Sequence, residues 1–173
     1  MILRGKGRRV DPPNDVNTDY IIAGRYKFKS EDMTELAQHL LEDLDPGFTR
    51  RIEPGDFIVA GSNFGCGSSR EQAPRVILAA GLSAVIARSF ARIFYRNAFN
   101  LGLPLIESET EFIRDGDDLE LDLDAGVLRD LTQGREVPVK PLPAVMQTLL
   151  ADGGLVQHLK RHGGFALGGG GDV

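Results

Sequence analysis

Short apolar runs separated by Gly-rich or polar turns mark the middle of the chain. The runs centred on Phe57-Ile58-Val59 and Ala84-Val85-Ile86-Ala87, and the block over 103–107, have the length of buried strands. Between them lie two stretches with helical spacing, one running from about Glu71 to Ala80 and one over 90–101 with Phe90, Ile93, Phe94 and Phe99 as its apolar set. The order strand, Gly-rich loop, helix, strand, helix, strand predicts right-handed βαβ crossovers and a parallel sheet. Upstream, Met33, Leu36, Ala37, Leu40, Leu41 and Leu44 predict a helix over 30–44, stopped by Pro46-Gly47. Residues 1–15 are polar and rich in Gly and Pro, with turn chemistry at Asp11-Pro12-Pro13-Asn14-Asp15, and 17–24 is a short polar-to-apolar unit.

From Gly116 the period changes to two. Leu119, Leu121 and Leu123 alternate with acidic residues, and Gly126 precedes Val127-Leu128, which predicts an antiparallel hairpin with one wet face. A helix over 145–159, weak at Gly153-Gly154, closes the domain. The Gly-rich end, 166–173, cannot bury apolar area and is expected to be disordered. The fold class is therefore α/β, a single domain over 1–165 with a central parallel sheet and a smaller antiparallel one. No internal repeat interrupts it.

Composition narrows the function. The chain has 173 residues, 42% of them hydrophobic and 26% charged, an ordinary globular balance for one domain with a core. A net charge of −5 argues against nucleic acid as the main ligand, because phosphate binding needs a basic face. No apolar run approaches the roughly 20 residues of a membrane helix, and the start lacks the apolar core of a signal peptide. A cytoplasmic protein without a membrane partner is expected. The single cysteine, Cys66, excludes an internal disulfide and a Cys-ligated iron–sulfur cluster built by this chain alone. His39, His158 and His162 lack metal-ligand spacing. The last two are four apart and read as an exposed pair, so no metal site is expected.

The segment Gly61-Ser62-Asn63-Phe64-Gly65-Cys66-Gly67-Ser68-Ser69-Arg70-Glu71-Gln72-Ala73-Pro74 carries the most chemical information. Glycines let backbone amides approach a ligand, a helix start offers free N–H groups, and Arg70 adds a fork suited to a carboxylate. The place suits a small anion. It is neither a P-loop nor a dinucleotide loop. Ser68-x-x-Glu71 is also a capping box. Pro74 sits awkwardly for a helix capped at Ser68, so either the helix begins nearer Pro74 or 68–72 form a separate turn. Cys66 reads as a small packing residue. Arg88, Arg92 and Arg96 are four apart and would share one face of a helix that starts early, either solvated or turned toward a subunit seam or a carboxylate.

This segment, with Asn17-Thr18-Asp19-Tyr20-Ile21-Ile22 upstream and the block Ala87-Arg88-Ser89-Phe90-Ala91-Arg92-Ile93-Phe94-Tyr95-Arg96-Asn97 downstream, resembles the swivel domain of the aconitase superfamily. The length resembles the separate small subunits of its isopropylmalate dehydratase and homoaconitase branch. The resemblance implies a swivelling β/β/α domain and a large partner subunit, in a heterodimer or heterotetramer. It implies that the partner holds a [4Fe–4S] cluster, with no cofactor bound by this chain. It also implies reversible dehydration of a small di- or tricarboxylate bearing a 2-hydroxyl group. Matched by position, Ser68 resembles the catalytic base, Asp19 the active-site acid of the Thr-Asp pair, and Ser69 and Arg70 the carboxylate ligands.

In the resembling subunits the loop after the Thr-Asp block reaches toward the part of the substrate that differs between enzymes. Here it contains Phe28 between Lys27 and Lys29. Phe28 would cover a branched alkyl group, whereas Lys29 would meet a distal carboxylate. Phe28 packing under the following helix is the structural alternative. The alkyl-substrate reading of the isopropylmalate type is preferred, with a homoaconitase or another alkylmalate hydro-lyase as the alternatives. A free-standing small-anion-binding module, using the same loop without a partner, is the competing reading from another class.

Overall fold

The computed structural model describes residues 1–26 and 29–163. The first strand, β1 (Ile2–Arg9), is followed by three short helices, α1 (Thr18–Ile21), α2 (Met33–Ala37) and α3 (Phe48–Arg51). The βαβ core comes next: β2 (Phe57–Val59), α4 (Gln72–Ala79), β3 (Ala84–Ala87), α5 (Arg92–Leu101) and β4 (Leu105–Glu107). A meander of β5 (Asp118–Asp122), β6 (Val127–Asp130) and β7 (Arg135–Pro138) leads to α6 (Ala144–Ala151) and α7 (Leu155–His162).

All strands join one mixed sheet in the order β4-β3-β2-β1-β5-β6-β7. Its two halves meet on β1. Residues Gly7 to Arg9 pair parallel with β2, and Ile2 to Lys6 pair antiparallel with β5. The crossover strands β2 and β3 are buried on both faces, as parallel strands covered by helices must be. Ile58 and Val85 pack toward α1, α2, α4 and α5, whereas Phe57, Val59, Ala84 and Ile86 pack toward the meander and α6.

Several elements differ from the sequence expectation for local reasons. The polar segment 1–15 holds a central strand, because backbone pairing rather than side-chain period builds β1. Gly5 is needed there, since a Cβ would collide with the carbonyl of Gly55. The expected helix over 30–44 is regular only over α2. Leu36, Leu40 and Leu41 are fully buried as expected, but Leu41 is left-handed, with φ +57°, and its N–H donates to Ile21 O at 3.0 Å. The hydrophobic positions were legible, whereas the turn that follows α2 was not.

The helix expected over 145–159 is two helices. Gly153 and Gly154, with φ +87° and +109°, let the turn approach the end of α5, where a Cβ on Gly154 would lie 2.7 Å from Leu101 C. Helix α5 starts only at Arg92, so Arg88 lies outside it and pairs with Glu111. The three arginines therefore do not share one helix face. The meander also gains a third strand, β7. The Gly-rich end, 166–173, lies outside the described residues.

Asp56 ties the two halves of the sheet together. One carboxylate oxygen accepts from Lys6 N at 3.0 Å, and the other accepts from Glu53 N at 2.9 Å and Arg8 Nε at 2.7 Å. Both side chains of this ion pair are nearly buried, Arg8 at 11% and Asp56 at 4% exposure.

Candidate functional site

The loop after β2 is threaded between two extended segments. On one side Gly61 N donates to Pro13 O, Gly65 N to Val16 O, Asp15 N to Ser62 O and Thr18 N to Cys66 O. On the other, Phe64 N donates to Ser89 O and Ala91 N to Phe64 O. These bonds explain the glycines. Gly61 faces Asn14 Oδ1, which accepts from Ser62 N at 2.8 Å, and leaves no room for a side chain. Gly65 and Gly67 turn with φ of +83° and +92°.

Ser68 and Ser69 follow the loop and precede α4, and both are exposed. Ser68 does not cap that helix. Helix α4 begins at Gln72, position 71 takes the N-cap place without a side-chain bond, and Pro74 falls in the first turn, where its missing N–H costs nothing. The helix thus begins nearer Pro74, and the serines and Arg70 lie in irregular chain between the loop and α4. Thr18, at the start of α1 and 2% exposed, donates its hydroxyl to Ser68 O at 2.8 Å. Asn17 caps α1, accepting from Tyr20 N at 3.0 Å.

Arg70 is the electrostatic centre. Its Nη2 pairs with Asp19, and the guanidinium lies over Gly24, where a Cβ would sit 3.0 Å from Nη2. Its Nε and Nη1 are buried and, among the described residues, have no partner. They lie on different edges of the guanidinium, so each offers a separate single hydrogen bond, and a buried unsatisfied donor costs roughly 1–3 kcal/mol. A cleft of about 370 Å³ lies here, lined by Ser68, Ser69, Arg70, Asn63, Arg92 and Asn97 among others.

Four of the residues singled out from sequence, Ser68, Ser69, Arg70 and Asp19, therefore cluster. Lys29 does not line the cleft. It is exposed and lies over the Tyr26 ring, 5.5 Å from its centre. Phe28 and Lys27 lie outside the described residues. Cys66 is partly buried, and burial, with Asp15 nearby, pushes its thiol pKa up, which suits packing rather than ligation or attack. Thr18 and Gly24 were not singled out. Their partners are distant in sequence, and only the Asn-Thr-Asp run hinted at Thr18.

His158 and His162 are not an exposed pair. His158 is fully buried, and its Nδ1 meets Asp152 Oδ2 at 2.6 Å. His162 Nε2 meets the same oxygen at 2.9 Å, and Arg161 donates to Oδ1 at 2.9 Å. Both oxygens of Asp152 are thus engaged, and the group reads as an ion-pair hub joining α6 to α7.

The aconitase C-terminal domain family matches residues 26–110. The chain is 55% identical to the 3-isopropylmalate dehydratase small subunit 2 of Archaeoglobus fulgidus, over 89% of this chain and 93% of that one. It is 50% identical to the 3-isopropylmalate dehydratase small subunit 1 of Thermotoga maritima, over 88% and 92%. Its fold is similar to the crystal structure of 3-isopropylmalate dehydratase from Methanocaldococcus jannaschii, with a TM-score of 0.89, 44% identity and coverage of 94% and 96%.

Proposed function

The chain belongs to the family of 3-isopropylmalate dehydratase small subunits, and from that premise we propose that the 61–70 loop and α1 form its half of the dehydratase active site. It is a hydro-lyase subunit of leucine biosynthesis. A small subunit implies a large one, and the reading is that the two act as a heterodimer or heterotetramer. A biosynthetic role fits a cytoplasmic location, and no helix among the described residues is long and apolar enough to cross a membrane.

The residues of this chain do not fit a [4Fe–4S] cluster. Such a cluster needs several cysteine thiolates, and the only cysteine, Cys66, has its pKa pushed up. The cluster is therefore assigned to the large subunit. What this chain contributes is substrate binding and proton transfer.

The observation that carries the reading is the pair of unpartnered Arg70 donors at the cleft. One of them, with the Ser69 hydroxyl beside it, suits a charge-assisted bond to a substrate carboxylate, while Asp19 pairs with Nη2 of the same guanidinium. Ser68 Oγ, as the alkoxide, takes the proton from the carbon that lacks the hydroxyl. The C–H electron pair becomes the new π bond as hydroxide leaves the neighbouring carbon, and hydration reverses the steps. Serine is a poor base in water, so its alkoxide needs the positive field of Arg70 and the free N–H groups at the start of α4. The substrate is read as isopropylmalate, with Phe28 covering its alkyl group and Lys29 extending into water.

Arg70→Lys tests the binding role. An ammonium cannot reproduce a planar group that pairs with Asp19 on one nitrogen and keeps another for the substrate, so the KM of the reconstituted pair is expected to rise at least about tenfold. Unchanged KM and kcat would place Arg70 outside the substrate site.

A further inference from the structure

Ser68 and Ser69 belong to neither the loop ladder nor α4, yet a base must be aimed to within about 0.5 Å. Helix α1 grips the segment at alternate residues. Thr18 N–H donates to Cys66 O at 2.9 Å, and Thr18 Oγ1 donates to Ser68 O at 2.8 Å. Asp19 then takes Arg70. The two Thr18 bonds straddle Gly67, whose φ of +92° bends the chain around them, so that a Cβ there would lie 3.8 Å from Thr18 Oγ1. Thr18 is 2% exposed, and its β-branched side chain is stiff about χ1. A donor from a buried, stiff side chain thus holds the carbonyl of an otherwise exposed serine.

We propose that Thr18 is a positioning residue for the dehydratase reaction: its hydroxyl, bonded to the Ser68 carbonyl across Gly67, aims Ser68 Oγ at the substrate. The inference rests on the assignment of Ser68 as base and adds the residue that makes the assignment geometrically workable. Thr18 touches no reacting atom. Its loss misplaces the base without removing it, so it acts on kcat more than on KM.

A double-mutant cycle in the pair reconstituted with its large subunit separates this role from plain structural support. Thr18→Val keeps the shape and loses the donor. It is expected to lower kcat about 10- to 100-fold with KM changed less than about threefold, and Thr18→Ser is expected to recover most of kcat. In a Ser68→Ala background, Thr18→Val is expected to lower kcat no further, because there is no base left to aim. If Thr18→Val folds poorly, Thr18→Ala with the Thr18→Ser rescue carries the same comparison. Equal losses of kcat in both backgrounds, or wild-type kcat with only a lowered Tm, would overturn the proposal while leaving Ser68 as base. Wild-type kcat in Ser68→Ala alone would overturn both.

Discussion

Gly65→Ala probes whether the loop is built by backbone packing. Gly65 has φ +83°, and a Cβ there would fall 2.7 Å from Phe94 Cδ1 and closer still to Cγ. Phe94 cannot easily give way. It is 2% exposed, and its ring meets that of the fully buried Phe64 edge-on at 5.4 Å. The left-handed conformation costs a non-glycine residue about 1 kcal/mol or more, and overpacking adds about 1–3 kcal/mol. The sum, about 2–4 kcal/mol, is a large part of the 5–15 kcal/mol typical of a domain. For a chain of this size it corresponds to a Tm drop of about 4–16 °C. Gly134→Ala is the control. Gly134 is also left-handed, with φ +68°, but a Cβ there meets nothing within 4 Å, so only the conformational cost of about 1 kcal/mol remains. The chain has no tryptophan, so urea unfolding is followed by far-UV circular dichroism. Equal losses in the two variants would refute the steric reasoning.

Asp56→Ala should cost about 3–5 kcal/mol in the same assay, because it leaves Arg8 nearly buried and unpaired; a loss near 1 kcal/mol would show the pair to be no more than a surface contact. Burial, and then the hydrogen bond with Asp117, push the Asp130 carboxyl up. A carboxyl raised in the folded state supports folding below its unfolded pKa and loses that support as pH rises through the folded value, so Asp130→Asn should gain on wild type as pH rises above the ordinary carboxylate range. Urea midpoints that move the other way would contradict the direction. Cys66 should react with a disulfide reagent well below the rate of free cysteine at about pH 8 and recover that rate on unfolding, since burial disfavours its thiolate.

The parallel core was legible because its strands are short, apolar at their buried positions and separated by glycines, as buried crossover strands must be. The loop of the candidate site was legible for a related reason, since Gly61 to Arg70 must be spelled by residues that permit close backbone approach, whereas the roles of Ser68, Ser69, Arg70 and Asp19 rest on the family resemblance. β1 was hidden because its work is done by main-chain bonds on both edges, and its glycines sit where β2 and β5 crowd it. The segment after α2 misled because buried leucines at helical spacing also fit a chain of turns once Leu41 becomes left-handed and bonds Ile21. Nothing local announces that contact. The contacts of Thr18 and Gly24 were hidden likewise, for each meets a residue more than forty positions away.

Turnover of isopropylmalate by the reconstituted pair, compared for wild-type and Ser68→Ala small subunits together with the thermal midpoint of each, tests most directly whether this loop carries the base. Ser68 is exposed and does not cap α4, so the substitution should change stability by less than about 0.5 kcal/mol while kcat falls at least about 100-fold. A variant that keeps wild-type kcat would contradict the assignment, all the more if it loses the ~1 kcal/mol expected of a helix cap.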